Sequence, residues 1–258
     1  MHTPRVDANR VVSQTWVSRI EHHQVLGSTN DRAKQCAVEG PGPLPLLIVA
    51  DHQTAGRGRG ANRWWTGEGS LAFSLLLEAD PSGRDPARAA ILSLAAAVAV
   101  AETLIPELPG RTVGIHWPND VYAARRKVAG VLVEQLADGL VVVGIGVNLN
   151  NRIADGPSEI QALATSLSDL TGTCFDPTRI LCAILQAFGT HLDAARRCPA
   201  QVAQAADRLC LQHGRTLCVE SGGRTIRGVC GGIATDGALL LRTSGGWKRI
   251  LHGTLRAP

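Results

Sequence analysis

The sequence predicts an α+β protein with a small all-β barrel at its C-terminal end. Three observations carry that reading. Short apolar runs at 46–50 and 71–77 alternate with longer stretches of helical apolar spacing, which mixes strands with helices. Two strand-like runs, 127–137 and 140–148, are separated by Asp138-Gly139. Asp-Gly between apolar runs signals a hairpin, so the sheet contains antiparallel neighbours. From Gly214 onward the apolar runs are short and split by Gly222-Gly223, Asp236-Gly237 and Gly245-Gly246, the regular turn spacing of a small barrel.

Each element has a local reason. Ser28-Thr29-Asn30 offer short polar side chains for an N-cap ahead of a helix over 31–38. Pro41, Pro43 and Pro45 break the chain before the buried strand at 46–50. After the strand at 71–77, Pro86 can open a helix that runs to Ile105. Its stretch 89–105 is interrupted by Ser93, Glu102 and Thr103. That is too short and too polar for a membrane span of about 20 residues, so a buried helix and no membrane contact are expected. A strand over 113–117 ends at Pro118, and Arg125-Arg126 turn the chain into the hairpin. Residues 177–197 read as a helix with Ile180, Leu181, Ile184, Leu185 and Phe188 at helical spacing. The texture changes near Ala206, which divides the chain into domains 1–205 and 206–258. The barrel, at about 45 residues, has little core of its own and should lean on the first domain.

Composition narrows the function classes. Hydrophobic residues make up 45% of the 258, enough for a substantial core, and 19% charged residues exclude compositional disorder. A net charge of +4 suits anionic small molecules or an acidic protein partner and argues only weakly for nucleic acid. Cys36, Cys174, Cys182, Cys198, Cys210, Cys218 and Cys230 are odd in number and never in C-x-x-C spacing. A zinc site or disulfide framework is therefore not expected, and a reducing, cytoplasmic setting is. The N-terminus carries no apolar core of a secretion signal.

Residues 53–65, Gln53-Thr54-Ala55-Gly56-Arg57-Gly58-Arg59-Gly60-Ala61-Asn62-Arg63-Trp64-Trp65, carry the densest chemistry. Glycines let a backbone approach a ligand and can turn N–H groups toward an anion. Arginines match carboxylate and phosphate, and tryptophans offer flat faces to a base. The loop lacks the Gly-Lys-Ser/Thr ending of a phosphate loop and the third glycine of a dinucleotide fingerprint. A surface cluster touching RNA and a solvated turn both remain open for the loop taken alone. Four clusters stand beside it. Gly27-Ser28-Thr29-Asn30 can bind a polar head at a helix start or simply cap the helix. His116-Trp117-Pro118-Asn119-Asp120 present an amide and a carboxylate, or form a common turn. Lys127 opens an apolar strand, where it can point into a site or simply end the strand in solvent; the strand contains Gly130, a sign of close approach, and reaches Glu134. Gly144-Ile145-Gly146-Val147-Asn148 clear one face of a strand and end on an amide that can read adenine, or make a bulge and a turn.

Taken in order, Gly-Ser-Thr-Asn, Gln-x-x-Gly-Arg-Gly-Arg, Trp-Pro-Asn-Asp, Lys-x-x-Gly-x-x-x-Glu and Gly-x-Gly-x-Asn resemble the biotin protein ligase family over roughly residues 24–256. Ala164-Thr165-Ser166-Leu167 is similar to a family segment as well. The resemblance implies a mixed, largely antiparallel sheet with flanking helices and a small SH3-like C-terminal barrel. It implies ATP-dependent formation of biotinyl-5′-AMP, with Mg²⁺, and transfer of biotin to one lysine of a biotin carboxyl carrier protein such as that of acetyl-CoA carboxylase. Ser28, Thr29 and Gln53 would then hold the biotin ring beside Asn30. Arg57, Gly58 and Arg59 would line the loop over biotin and phosphate. Lys127, beside Gly130, would bind the carboxylate and the α-phosphate. Trp64 and Asn148 would serve the adenine. Asn119 and Asp120 would serve the phosphate–Mg²⁺ region, with Asp120 a possible ligand of the metal and acceptor of the proton from the incoming lysine. Arg59, Lys127 and Asp120 are thus the expected catalytic residues.

Two positions depart from the family pattern. His116 stands where the family has lysine, and Ala61-Asn62 replace a second Gly-Arg pair, with Arg63 one place on. These departures bear on ATP affinity and on holding the adenylate. They keep alive a non-catalytic biotin binder, beside a lipoate or octanoate ligase or transferase on a related fold. About two dozen residues precede Gly27, where a DNA-binding domain needs on the order of 60. A ligase-only form without nucleic-acid binding is expected. Monomer and homodimer both stay open.

Overall fold

The computed structural model describes residues 5–79, 86–136 and 139–256. A short helix α1 (Ala8–Gln14) leads into β1 (Arg19–Leu26), α2 (Thr29–Glu39), β2 (Leu46–Gln53), β3 (Leu71–Glu78) and α3 (Pro86–Leu104). Four strands follow: β4 (Val113–His116), β5 (Asp120–Ala123), β6 (Arg126–Gln135) and β7 (Leu140–Val147). Two short helices, α4 (Ser158–Gln161) and α5 (Leu167–Thr171), precede α6 (Pro177–Arg197) and α7 (Pro199–Arg208). The chain finishes with β8 (Thr216–Ser221), β9 (Arg224–Ile233), β10 (Leu239–Thr243), β11 (Gly246–Ile250) and β12 (Thr254–Arg256).

The first seven strands form one sheet in the order β1-β2-β3-β7-β6-β5-β4. Its β1–β2 pair is parallel and the remaining pairs are antiparallel. The expected α+β class and mixed, largely antiparallel sheet are what the chain adopts. The last five strands form a separate antiparallel sheet, β11-β10-β9-β8-β12.

Burial explains the layering. In the central strand β3 every residue from Leu71 to Leu77 is buried. Phe73, Leu75 and Leu77 point into a core filled by Leu94 to Val100 of α3 and by Ile180, Leu181, Ile184 and Phe188 of α6. On the other face Leu46, Ile48, Leu76 and Val142 meet Ala33 and Cys36 of α2. Among the described residues α3 is the one helix apolar enough and long enough to cross a membrane, and most of it is buried inside the fold.

The second sheet shares the first sheet's core, because Val219, Cys230, Leu239 and Leu241 belong to the same buried cluster as Phe73. After α7 the chain runs beside β4, where Ile115 N donates to Leu209 O and Leu211 N donates to Ile115 O. Buried Trp117 donates from Nε1 to Gly237 O at 3.1 Å and from its backbone N to Gln212 Oε1 at 2.9 Å. The small sheet therefore leans on the large one, as its size required.

Several elements differ from the sequence reading. No element was expected over 8–14, 19–26, 120–123 or 199–208, and the chain forms α1, β1, β5 and α7 there. The helix expected from Asp31 begins at Thr29. The turn expected at Arg125-Arg126 lies one residue earlier, since Ala124 and Arg125 take left-handed φ of 47° and 68° while Arg126 already belongs to β6. β6 and β7 pair antiparallel; Asp138 of their connection lies outside the described residues. All seven cysteines are free thiols.

Candidate functional site

Cross-strand register lays out the site. His116, Asp120, Gly130, Gly146 and Ala72 stand side by side across five strands. A second row runs Leu132, Gly144 and Ser74. Residues in such rows share one face of the sheet. Glycine at 144 and 146 leaves that face bare. A Cβ on Gly144 would fall on Asn30 Oδ1, and a Cβ on Gly146 would fall on the Trp64 indole. A cavity of about 390 Å³ opens over this floor, walled by the start of α2, the arginine loop and β4–β6.

One end is a chain of hydrogen bonds among uncharged side chains that finishes on the Glu134 carboxylate. Thr29 donates from N and Oγ1 to Gln53 Oε1 at 2.8 and 3.1 Å. Gln53 Nε2 donates to Thr66 Oγ1 at 3.3 Å. Ser74 Oγ lies 2.7 Å from Thr29 Oγ1 and 2.6 Å from Asn30 Oδ1. Asn30 Nδ2 donates to Glu134 Oε2 at 2.7 Å. Ser28, Thr29, Asn30 and Gln53 are all buried on the cavity wall. Ser28 caps α2 without a side-chain bond to the helix, so its hydroxyl is not used as an N-cap.

The arginine loop is a small hairpin. Gly58 N donates to Asn62 O at 2.8 Å and Trp64 N to Gly56 O at 3.0 Å. The expected anion cradle of N–H groups is thereby corrected at Gly58, whose N–H is spent within the loop. Arg57 is exposed, with Nε 2.7 Å from Asp31 Oδ2. Burial tends to raise the Asp31 carboxyl, but hydrogen bonds from Lys34 and Arg57 prevail and hold it below its ordinary range. Arg59 is half-buried and reaches Asn119 Oδ1 at 3.4 Å and Gly253 O at 3.3 Å. Of the two tryptophans only Trp64 faces the cavity. Trp65 packs over Gly67 and Gly156 instead.

The other end is ionic. Lys127 Nζ stands 2.8 Å from Asp120 Oδ1 and 5.6 Å from the centre of the Trp64 ring. A Cβ on Gly130 would meet Lys127 Cε and Asp120 Oδ1 at 3.1 and 3.2 Å, so this glycine makes room for the ion pair. Asn119 donates from Nδ2 to Val131 O at 2.6 Å. His116 stacks on Tyr122 with ring centroids 4.5 Å apart. Burial pulls the His116 imidazole below its ordinary value; Asp120 opposes this, and Lys127 and Arg215 add to it. Burial also lowers Arg59 and raises Tyr122.

The structure thus brings together Ser28, Thr29, Asn30, Gln53, Arg57, Gly58, Arg59, Trp64, Asn119, Asp120, Lys127 and Gly130. Asn148 is not on that wall: it is buried, and its Oδ1 accepts from Asn151 Nδ2 at 3.2 Å. Ser74, Tyr122, Thr254 and Leu255 were not anticipated. Ser74 carried a signal, as the one polar residue in the run 71–77. Thr254 and Leu255 of β12 line the cavity from the second sheet, and nothing in their local sequence marks them.

Chemically, the cavity suits a ligand with an uncharged polar ring at one end and an anionic group at the other, beneath an indole. Among the described residues no three His, Cys, Asp or Glu side chains converge as a metal site.

Residues 23–150 match the biotin/lipoate A/B protein ligase family. The chain is 35% identical over 236 residues to the bifunctional ligase/repressor BirA of Bacillus subtilis, covering 89% of this chain and 71% of that protein. It is 33% identical to the biotin--[acetyl-CoA-carboxylase] ligase of Mycobacterium tuberculosis, covering 85% and 81%. Its fold superimposes on the biotin protein ligase of Aquifex aeolicus solved with biotin and ATP at a TM-score of 0.80, with 30% identity and coverage of 93% and 100%.

Proposed function

Because the chain belongs to the biotin/lipoate A/B protein ligase family, we propose that it is a biotin–protein ligase. It condenses biotin with ATP to biotinyl-5′-AMP, releasing pyrophosphate, and passes biotin to a lysine of a biotin carboxyl carrier protein of acetyl-CoA carboxylase. The observation that carries this reading is the single glycine-floored cavity. Its uncharged chain at Thr29, Gln53, Ser74 and Asn30 lies at one end and the Lys127–Asp120 pair at the other.

In this reading Ser28, Thr29 and Gln53 hold the ureido ring, and Asn30 braces Thr29 through Ser74. The carboxylate attacks the α-phosphorus, a P–O bond forms, and pyrophosphate leaves. Two anions must meet for this step, so Lys127 and Arg59 supply the positive charge. An α-phosphate competes with Asp120 for Lys127, and the carboxylate released becomes free to take a proton. The carrier lysine, with a pKa of about 10.4 in water, must give up a proton before its nitrogen attacks the acyl carbon. The C–N bond then forms, the C–O bond breaks, and AMP departs. Arg57, Gly58 and Arg59 close over the mixed anhydride and exclude water. Trp64 flanks the adenine. Asn148 would join it only through a rearrangement that opens its buried position to the cavity.

Among the described residues Asp120 is the one carboxylate on the cavity wall. That fits Mg²⁺, which binds through one or two carboxylates together with substrate phosphates. Asp120 and the amide of Asn119 would hold the ion, which supplies charge neutralisation at the phosphates. We assign most of the ligand-binding wall to residues 1–205, and support of the loop, with the wall at Thr254 and Leu255, to residues 206–258, in a cytoplasmic protein that acts on no nucleic acid or membrane.

His116 favours a second reading. A half-buried imidazole drawn toward neutrality replaces a cation, and a biotin binder that does not adenylate would tolerate that. Biotin-dependent exchange of labelled pyrophosphate into ATP, with Mg²⁺ and no carrier, tests both. Exchange supports the ligase. Biotin binding without exchange supports the binder, and preference for lipoate over biotin in competition moves the chain to the lipoate branch.

A further inference from the structure

The C-terminal sheet reaches the reactive machinery at Arg59. Both terminal nitrogens of Arg59 donate to the carbonyl of Gly253 at 3.3 Å. Gly253 lies in the turn between β11 and β12, and Thr254 and Leu255 continue from it along the cavity wall. The turn is itself held from behind. Ser221 Oγ donates to His252 O at 2.6 Å, and Thr254 pairs with Glu220 of β8. A Cβ on Gly253 would stand 2.7 Å from Val219 Cγ1 and 3.0 Å from Glu220 O, so the turn lies flat on β8. A smaller cavity of about 160 Å³ behind the guanidinium is shared by Arg59, Asn119, Trp117, Leu251 and His252.

We propose that the β11–β12 turn is a positioning element for Arg59, and that through it the second sheet holds the arginine loop over the activated intermediate. This rests on the ligase reading above. Both acceptors that hold Arg59, the Gly253 carbonyl and the Asn119 amide oxygen, are uncharged. A phosphate oxygen makes a stronger, charge-assisted bond. Arginine has five N–H donors, so it can keep the carbonyl and still turn donors on the ligand. Gly253 therefore anchors the side chain without withholding its charge.

The test uses the full chain with Ser221→Ala and Gly253→Ala. Two quantities are read: free biotinyl-AMP released per pyrophosphate formed, and the rate of tryptic cleavage at residues 57–63 without substrates, mapped by mass. Ser221→Ala should raise both about fivefold, the equivalent of one ordinary hydrogen bond. Gly253→Ala should do at least as much. Arg59→Gly should release still more adenylate, and adding Ser221→Ala to it should change nothing further, because the two act as one unit. A merely structural Ser221 would lower the unfolding midpoint and slow both half-reactions without changing the release ratio. Unchanged release and cleavage in both variants, or a full Ser221→Ala effect on top of Arg59→Gly, overturns the proposal. If the unmodified chain forms no adenylate, the ligase reading falls, and the cleavage rates alone decide whether the turn holds the loop.

Discussion

Replacing Ser74 by alanine probes the buried polar chain most directly. Ser74 is fully buried, and its oxygen lies 2.6 Å from Asn30 Oδ1 and 2.7 Å from Thr29 Oγ1. A hydroxyl has one proton to give. Asn30 Oδ1 can only accept, so the proton goes there, and Thr29 turns its own proton to Ser74 or to Gln53. Truncation leaves Asn30 Oδ1 without its donor. A buried acceptor stranded in this way costs about 1–3 kcal/mol. Taking about 2 kcal/mol, and about 2–4 °C for each kcal/mol in a chain of this size, the unfolding midpoint should fall by about 4–8 °C. If half of that loss is shared with ligand binding through Thr29, biotin affinity should weaken about fivefold. Differential scanning calorimetry and titration calorimetry with biotin read the two quantities. An unchanged midpoint refutes the energetic argument. A lowered midpoint with unchanged biotin affinity refutes the link from Ser74 to the ligand.

Three further perturbations test other parts of the cavity. Lys127→Ala should cut pyrophosphate exchange by about 10²–10³, the usual cost of a charge-stabilising donor; exchange within about threefold of the unmodified chain would remove Lys127 from the chemistry. Gly146→Ala should displace Trp64 and raise the KM for ATP about tenfold, on the scale of a small overpacking penalty, while biotin affinity holds; a Trp64 fluorescence spectrum identical to the parent's would contradict the predicted contact. His116 gives a pH signature. Its folded pKa lies below the ordinary 6.5, so between those values the unfolded chain binds more protons and stability falls as pH drops below about 6.5. His116→Gln should flatten the midpoint-versus-pH curve in that window, and equal slopes in the two proteins would show that His116 titrates alike in both states.

The parts of this protein that were legible from sequence are those whose own residues carry the energetics. β3 is a run of buried apolar side chains, and α6 has a cap, a proline at its start and an apolar stripe. β1 is different. Its residues Glu21, His22, His23 and Gln24 show no strand alternation, and it exists because β2 pairs with it in parallel while Arg32 and Asp51 hold Glu21 and His22. β5 has four residues and is defined by its partners on both sides. The site divides in the same way. The motif residues were readable one by one, but the Lys127–Asp120 pair depends on a strand register that shifts at Val121/Tyr122. The wall formed by Thr254 and Leu255 depends on how a second sheet docks.

The resting arrangement of the cations suggests how the site stays ready. Lys127 sits on Asp120, Arg57 on Asp31 and Arg59 on a carbonyl. Three cations pressed together without partners would repel one another and splay the loop. With partners they stay within reach, and a phosphate can displace the carboxylates from Lys127 and Arg57 while Arg59 keeps its carbonyl. The exchange is not equal across the three. Removing Lys127 from Asp120 leaves a carboxylate uncompensated unless a proton or a metal ion arrives. Arg59 can keep the Gly253 carbonyl and turn its remaining donors on the phosphate, so its recruitment strands no group. Arg59 is therefore the cation recruited at least cost, so it should engage phosphate first, with Lys127 following once Asp120 has gained a new partner. That order predicts that ATP alone shields Arg59 from phenylglyoxal while Lys127 stays open to acetylation until Mg²⁺ is added. Shielding of both residues by ATP without the metal would contradict it.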